Sequence, residues 1–149
     1  MAMVTVYHGT TAEKAKNIFK EKTIRISLPD IARYPDTTPG YVYVTKRFCD
    51  AFDFASRPTT EGIVYKFVVF KIQIDEKELL SDNDEKIRGS TLSENGYIDC
   101  FRIRRDLALK KDVVSYKGFC VKSNAALGKL LDGLKYGDFS ISEDQWISL

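Results

Sequence analysis

Residues 4–10 read VTVYHGT, and they mark the point where a first predicted strand is followed by a helix. The opening VTVY consists of β-branched and aromatic residues, which favour a buried strand. Thr10 and Glu13 then form a capping box, and apolar residues at helical spacing follow it. His8, the single histidine, and Gly9 therefore lie at a strand-to-helix junction, where backbone groups can face a ligand.

Outward from this junction, short strands alternate with helices and two long loops. Further strands are predicted at residues 23–27, 40–45, 63–74, 96–103 and 112–122, with an added edge strand within 137–149. Helices are predicted at residues 46–56 and 124–136, and loops at 28–40 and 81–95. The alternation within 63–74 shifts phase at Phe70, which predicts a bulge or a bend between two sheets. Because no regular βαβ alternation occurs, the pattern predicts an α+β fold with mostly antiparallel sheets.

Composition and charge indicate one globular domain. The 149 residues are 44% hydrophobic and 30% charged, and a net charge of +2 gives no argument for nucleic-acid or membrane binding. No apolar stretch approaches the roughly 20 residues of a membrane span, and no signal peptide is evident. We therefore expect no membrane partner and a cytoplasmic location.

Cysteine and histidine usage argues against disulfides and metal sites. Cys49, Cys100 and Cys120 are odd in number and widely spaced, as in proteins of a reducing compartment. One histidine without a close cysteine pair offers no ligand set for structural zinc, so no metal is expected. The chain also has no Gly-rich loop after a strand and no G-x-S-x-G elbow, which disfavours a doubly wound nucleotide-binding fold and a hydrolase triad.

The order of short motifs resembles one enzyme superfamily. Three motifs come first: Y-H-G-T at residues 7–10, G-Y-V-Y-V-T at 40–45 and A-F-D-F-A at 51–55. A long strand and then an acidic residue within a late strand follow them. Over about residues 4–115 this order resembles the histidine–tyrosine–acid class of the ADP-ribosyltransferase superfamily. That class includes the diphtheria-toxin-like enzymes and the poly(ADP-ribose) polymerases.

The resemblance implies a fold and an activity. The fold would be an ADP-ribosyltransferase-like split antiparallel β-sandwich with flanking helices. It would form a single domain over residues 1–149, with a core of about 3–122 and a C-terminal helix and tail at 123–149. The activity would be mono-ADP-ribosyl transfer from NAD, a co-substrate, to a protein, nucleic acid or small molecule, with release of nicotinamide and without a metal. Such an enzyme would be a toxin or effector, and its further partners would include a cognate inhibitor or antitoxin.

The same resemblance assigns residues to an NAD site. His8 would hydrogen-bond a ribose hydroxyl, and the backbone of Gly9 would hold the nicotinamide carboxamide, where a side chain would block the ligand. Thr10 would flank the pocket. Tyr43 would stack on the nicotinamide ring, with Thr45 beside it.

Structural roles compete with several of these assignments. Tyr34 would close the nicotinamide pocket from the preceding loop, unless it only anchors its own segment. Tyr43 can equally be a core aromatic, Thr10 only a helix cap, and His8 a structural histidine on an apolar strand.

The catalytic acid has several candidates. We prefer Asp99, which is flanked by strand residues, although a strand-edge ion pair with Arg102 or Arg104 would also explain it. Glu94 is the alternative from the preceding loop. A further alternative places the acid after the long strand, with these candidates: Asp75, Asp82 and Asp84. Aspartate in place of the usual glutamate shortens the reach by one methylene group.

Other functions remain open at this point. Without the usual glutamate, the chain can be an inactive ADP-ribosyltransferase-like module that binds a nucleotide or a partner, and YHGT can also occur by chance in an unrelated α+β domain. An RNA 2′-phosphotransferase of the same fold is disfavoured by the single histidine. The segment RIRRDLALKK, residues 102–111, can contact phosphates or form a solvated strand edge, since Asp106 and Asp112 accompany its basic residues.

Overall fold

The computed structural model describes residues 2–27, 38–56, 66–82, 100–135 and 146–149. The described strands are β1 (Met3–Thr11), β2 (Thr23–Ile24), β3 (Val42–Thr45), β4 (Lys66–Asp75), β5 (Leu80–Ser81), β6 (Cys100–Ile103), β7 (Leu107–Ala108), β8 (Val113–Cys120) and β9 (Ile147–Ser148). The helices are α1 (Ala12–Glu21), α2 (Phe48–Ser56) and α3 (Asn124–Lys135), and a 3₁₀ turn spans Glu76–Glu78. The protein is therefore α+β, as predicted.

Seven strands form one antiparallel sheet in the order β5-β6-β3-β1-β4-β8-β9. β2 and β7 form a separate two-stranded antiparallel pair. β1 is the central strand and pairs with β4 along its whole length, from Met3 opposite Asp75 to Thr11 opposite Phe67. The VTVYHGT stretch consequently lies in the middle of the larger sheet.

The sheet separates two apolar clusters. Val6, Phe70 and Ile72 belong to the cluster on the face that α1 covers. Phe67 belongs to the other cluster, where the ring of Phe52 from α2 lies edge-on to it with centroids 4.8 Å apart. Alternate residues of β4 thus enter different clusters, because successive side chains of a strand point to opposite faces.

The phase shift in the sequence pattern at Phe70 does not come from a bulge in β4. β4 is buried on both faces, and its ladder with β1 is continuous, so hydrophobic residues occupy both alternating positions. The irregularity lies in the ladder with β8, where Val114 is an extra residue between the partners of Lys71 and Ile72. A bulge is present next to the predicted place, but on the neighbouring strand.

Helix α1 begins one residue later than the predicted capping box. Its N-cap is Thr11, whose hydroxyl oxygen accepts the N–H of Lys14 at 3.3 Å. Thr10 belongs to β1 and is buried there. The capping role proposed for Thr10 with Glu13 was therefore wrong.

Of the remaining elements, β3, α2 and β8 follow the predictions with shorter bounds, whereas parts of the ranges predicted for β4, β6 and α3 lie outside the described residues. The strand predicted at residues 23–27 is reduced to β2, and β9 adds the expected edge strand by pairing with β8. β5 and β7 were not predicted, because two-residue strands carry no periodicity. None of the helices in the described ranges has the length and apolar character that a membrane crossing needs.

Candidate functional site

The junction of β1 with β3 brings together most of the predicted NAD-site residues. The two strands share one ladder pair, Tyr7 with Thr45. Beyond it, His8 to Thr11 continue along β4 but have no partner on the β3 side among the described strands. Some backbone N–H and C=O groups of this stretch therefore point away from β4 to a side where no described strand pairs with them, since these groups point alternately to the two sides of a strand. We call this junction the seam and define it by these residues: His8, Gly9, Tyr43 and Thr45.

The imidazole of His8 bridges the seam. Its Nδ1 lies 2.7 Å from the backbone carbonyl oxygen of Tyr43. Because a carbonyl oxygen only accepts, Nδ1 carries the proton, and Nε2 of the neutral ring is then an acceptor. Burial lowers the pKa of His8; the Tyr43 hydrogen bond opposes this shift and the charge of Lys14 adds to it. The ring is therefore neutral near pH 7, with Nε2 able to accept a hydroxyl hydrogen.

Gly9 is required by the packing of α2 on β1. A Cβ at this position would lie 2.0 Å from the carbonyl oxygen of Ala51 and 2.8 Å from the Cβ of Ala55. The two alanines of the A-F-D-F-A motif are four residues apart and so lie on one helix face, over the glycine. Packing against α2 thus explains why this position has no side chain, without the close approach of a ligand that the sequence analysis invoked. The predicted contact of the Gly9 backbone with the nicotinamide carboxamide stays a prediction.

The two predicted threonines are buried next to the seam. Thr10 is 9% exposed and, being two residues along β1 from His8, shares its face of the strand. Thr45 is 1% exposed, and its hydroxyl oxygen accepts the N–H of Arg47 at 3.1 Å in the turn leading to α2. Thr45 therefore has a local structural role whether or not a ligand binds.

Tyr43 is held by hydrogen bonds on both its backbone and its side chain. Its carbonyl accepts from His8, and its hydroxyl donates to the carbonyl of Thr38 at 2.5 Å. The ring is partly buried and lies 6.4 Å, centroid to centroid, from that of Tyr41. Tyr43 is not among the described residues that form the two apolar clusters.

The two ends of the proline-containing loop meet beside Tyr43. The N–H of Ser27 donates to the carbonyl of Tyr41, and the N–H of Gly40 donates to the carbonyl of Ser27, both at 2.8 Å. Tyr34, the predicted second aromatic, lies outside the described residues.

The candidate acids fall into two groups. Three lie outside the described residues: the preferred Asp99, Glu94 and Asp84. Asp75 lies opposite Met3, five ladder positions from His8, which corresponds to about 17 Å along a strand. The structure therefore does not bring Asp75 to the seam.

Asp82 lies closer to the seam than Asp75. It is 6% exposed, and its N–H donates to the carbonyl of Cys100 at 3.3 Å. Cys100 is in turn the ladder partner of Thr45. Asp82 thus directly follows β5 and is hydrogen-bonded to the first residue of β6. Asp99 precedes that residue in the sequence.

The basic segment after β6 divides into two parts. Arg105 makes bidentate ion pairs with Glu78 (2.6 and 3.1 Å) and Asp112 (2.9 and 3.0 Å). These hydrogen bonds lower the pKa of both carboxyls. Arg102 and Arg104 instead lie over the ring of Tyr41, their guanidinium carbons 4.3 and 5.6 Å from its centroid.

Sequence reasoning missed the association of Tyr41 with these arginines. Tyr43 and Arg102 are ladder partners, so their side chains share a face of the sheet. Tyr41 and Arg104 follow at period two in the Y-x-Y and R-x-R spacings, which was the available signal. It became informative only once the pairing of β3 with β6 was known.

Comparisons with known proteins add no assignment to this geometry. No family model matches the chain, and no curated protein or solved structure gives a significant match. Within the described ranges, no group of three or more histidine, cysteine or acidic residues is placed to hold a metal ion. A functional hypothesis must therefore rest on the seam itself.

Proposed function

We propose that this protein is an NAD-dependent mono-ADP-ribosyltransferase, which moves one ADP-ribose unit from NAD to an acceptor and releases nicotinamide. The observation that carries the proposal is the 2.7 Å hydrogen bond from His8 Nδ1 to the Tyr43 carbonyl. It joins two residues 35 positions apart that the motif order assigns to one NAD site. The bond is made to the backbone of Tyr43, so it shows that the two motifs meet at one place in the fold, and the role of the Tyr43 ring is tested separately below.

The seam offers a binding group for each part of the nicotinamide riboside. Nε2 of His8 accepts a hydrogen bond from a ribose hydroxyl, and the ring of Tyr43 stacks on nicotinamide. The backbone of β1 next to Gly9 supplies the amide groups for the carboxamide. The proposal needs the sheet to open here, as in a split ADP-ribosyltransferase-like sandwich, and the single ladder pair between β1 and β3 supports that opening.

The reaction needs stabilisation of positive charge on the ribose. Cleavage of the bond between C1′ and nicotinamide gives an oxocarbenium-like transition state, as in glycoside cleavage. Nicotinamide leaves as a neutral molecule with the bonding electron pair, and the acceptor nucleophile forms the new bond to C1′. A carboxylate near the ribose stabilises the charge and takes the proton of the nucleophile. His8 positions the ribose and transfers no proton.

We assign the carboxylate to Asp99, with Asp82 as the alternative among the described residues. The assignment is supported by the attachment of Asp99 to Cys100, whose ladder partner is Thr45 of the seam. Asp82 is supported by its hydrogen bond to the same Cys100.

The proposal is tested by nicotinamide release from NAD and by transfer of labelled NAD onto whole lysate, divided by protease and nuclease treatment. We expect release by the wild type and a loss of about a hundred-fold or more for His8→Ala and Tyr43→Ala, since both lose positioning contacts. Tyr43→Phe is the matched control: it keeps the ring and removes the hydroxyl, which donates to the carbonyl of Thr38. Asp99→Asn and Asp82→Asn, compared for release at saturating NAD, identify the acid.

Two results would count against this function. Absence of both nicotinamide release and thermal stabilisation by millimolar NAD would contradict it, because a ligand that binds the native state must raise its stability. Stabilisation by NAD that requires His8, without release onto any acceptor or water, would favour the inactive binding module instead.

A further inference from the structure

We propose that Arg102, Tyr41 and Arg104 form a subsite for a phosphate group on the Tyr43 side of β3 and β6. These three residues, here called the arginine–tyrosine cluster, lie beside the seam because Arg102 is the ladder partner of Tyr43. The inference goes beyond the proposed function, since it holds for any phosphate-bearing ligand of this surface.

The first argument is the uncompensated charge of the cluster. Arg105, the next residue in the chain, has two carboxylate partners. Arg102 and Arg104 form no ion pair with any carboxylate in the described part of the chain, and their contacts are with Tyr41. Two like charges on one ring repel each other, and a bound anion removes that repulsion.

The second argument is the orientation of the hydrogen-bond donors. Arg104 donates one N–H to the hydroxyl of Tyr41 at 3.3 Å, which fixes its guanidinium against the ring. The Nε–H of Arg102 is buried and has no partner within the residues that the structure describes. A ligand does not reach this buried Nε–H, but the terminal N–H groups of Arg102 also have no partner among the described residues. A guanidinium fork with free terminal N–H groups matches the oxygen atoms of a phosphate, which it can bind in bidentate fashion.

The third argument separates a phosphate from a nucleic-acid base. Arginine planes and aromatic rings can both stack on bases. Here the guanidinium carbon of Arg102 lies 4.3 Å from the Tyr41 ring centroid, so this arginine already stacks on the ring, and that of Arg104 lies 5.6 Å from it. The donors at the guanidinium edges are what the cluster still offers, so it fits an anion better than a ring.

The phosphate has two chemical sources, the diphosphate of NAD and a phosphate on a separate acceptor. Titration calorimetry with inorganic pyrophosphate tests the subsite itself, for the wild type, Arg104→Gln and the double variant Arg102→Gln/Arg104→Gln. Lys122→Gln is the matched control, because Lys122 lies outside the cluster, is exposed and has no partner among the described residues. The same titrations with ADP-ribose, and with 5′-phosphorylated and unphosphorylated tetranucleotides, then distinguish the two sources of the phosphate.

We expect Arg104→Gln to weaken pyrophosphate binding about ten-fold and the double variant more, as the loss of charge-assisted hydrogen bonds requires. Lys122→Gln should stay within two-fold. Arg104 is exposed, so its variant keeps the fold even if the double variant does not, and circular dichroism checks both. A loss confined to ADP-ribose assigns the subsite to the donor, and a loss confined to the phosphorylated oligonucleotide assigns it to the acceptor.

The inference is overturned if the wild type binds no pyrophosphate, or if Arg104→Gln and Lys122→Gln weaken binding equally, since diffuse surface charge then explains it. Its failure is separable from that of the proposed function. Arginine-dependent pyrophosphate binding without nicotinamide release would support the subsite and contradict the transferase. Nicotinamide release that is unaffected by the arginine variants, with no pyrophosphate binding, would support the transferase and contradict the subsite.

Discussion

His8 and Gly9 are adjacent in the chain, but their Cβ positions lie on opposite faces of β1, so each meets a different part of the molecule. The imidazole reaches across to the Tyr43 carbonyl at 2.7 Å. The glycine lies beneath α2, with Ala51 directly above it. A three-letter motif therefore combines a candidate ligand contact with a packing requirement, and the two can be tested separately.

Gly9→Ala is expected to lower the free energy of unfolding by about 3 kcal/mol, the upper part of the usual range for overpacking, because its Cβ would meet a backbone oxygen that cannot rotate away. Gly118→Ala is the control, since a Cβ there meets nothing within 4 Å. Urea unfolding of both variants measures the difference. Equal stability of the two variants would contradict the close packing of α2 on β1.

The affinity for NAD is expected to be constant above about pH 6.5, the ordinary pKa of histidine, and to weaken as the pH falls through the lower pKa of His8. Protonation of Nε2 turns the acceptor into a donor, so the neutral form is the one that binds. Calorimetry between pH 5 and 8 measures the dissociation constant. His8→Gln should lose this dependence, and tighter binding at acid pH would contradict the assigned tautomer.

At the scale of elements, a charged network ties the segment after β6 to the 3₁₀ turn. Asp112 accepts two hydrogen bonds from Arg105 and one, at 2.9 Å, from the N–H of Ala108. Glu78 of the 3₁₀ turn binds the other edge of the same guanidinium. Since Asp112 is buried, its loss would leave one edge of the Arg105 guanidinium and a backbone donor without their acceptor.

Asp112→Asn is expected to cost about 2 kcal/mol of stability near neutral pH. Its carboxyl and that of Glu78 have lowered pKa values, so their stabilising contribution is complete above the ordinary carboxyl pKa of about 4 and is lost as the pH falls through the folded-state values. Chemical unfolding from pH 2 to 7 should show a flatter acid limb for the variant. Glu76→Gln, which removes only an exposed 3.9 Å pair with Lys46, should resemble the wild type.

At the scale of the whole molecule, β4 couples the two apolar clusters. Phe70 and Ile72 belong to one cluster and Phe67 and Val69 to the other. Neither cluster can lose its packing while the other stays complete, because both depend on the position of the same backbone. The described sheet should therefore unfold as one cooperative unit.

Ile72→Ala and Phe52→Ala, one in each cluster, are each expected to lower the stability by about 3 kcal/mol. Both side chains are fully buried, and Ile147→Ala, at a position 51% exposed, is the control. The fluorescence of Trp146 and far-UV circular dichroism should give coincident unfolding curves for every variant. Separate transitions for the two clusters would contradict a single cooperative domain over residues 1–149.

The sequence alone determined the local elements and the order of the motifs. Alternation over residues 63–74 and helical spacing over 46–56 and 124–136 predicted β4, α2 and α3 because these periods are properties of neighbouring residues. The strand at Tyr43 was found for the same reason. The placement of His8 at a strand-to-helix junction was wrong, because β1 continues to Thr11 by pairing with β4, so His8 lies within the strand. The order of the motifs predicted that His8 and Tyr43 lie close together, and in the structure the His8 ring donates to the Tyr43 carbonyl.

Tertiary structure decided which residues meet across the chain. Only the docking of α2 on β1 accounts for Gly9, and only the pairing of β3 with β6 places Arg102 beside Tyr43 while Arg105 turns to carboxylates. Strand register and helix docking are set by burial summed over many distant residues, which no local period encodes. For that reason the candidate binding groups were visible in the sequence, whereas the packing role of Gly9 and the ion pairs of Arg105 were not.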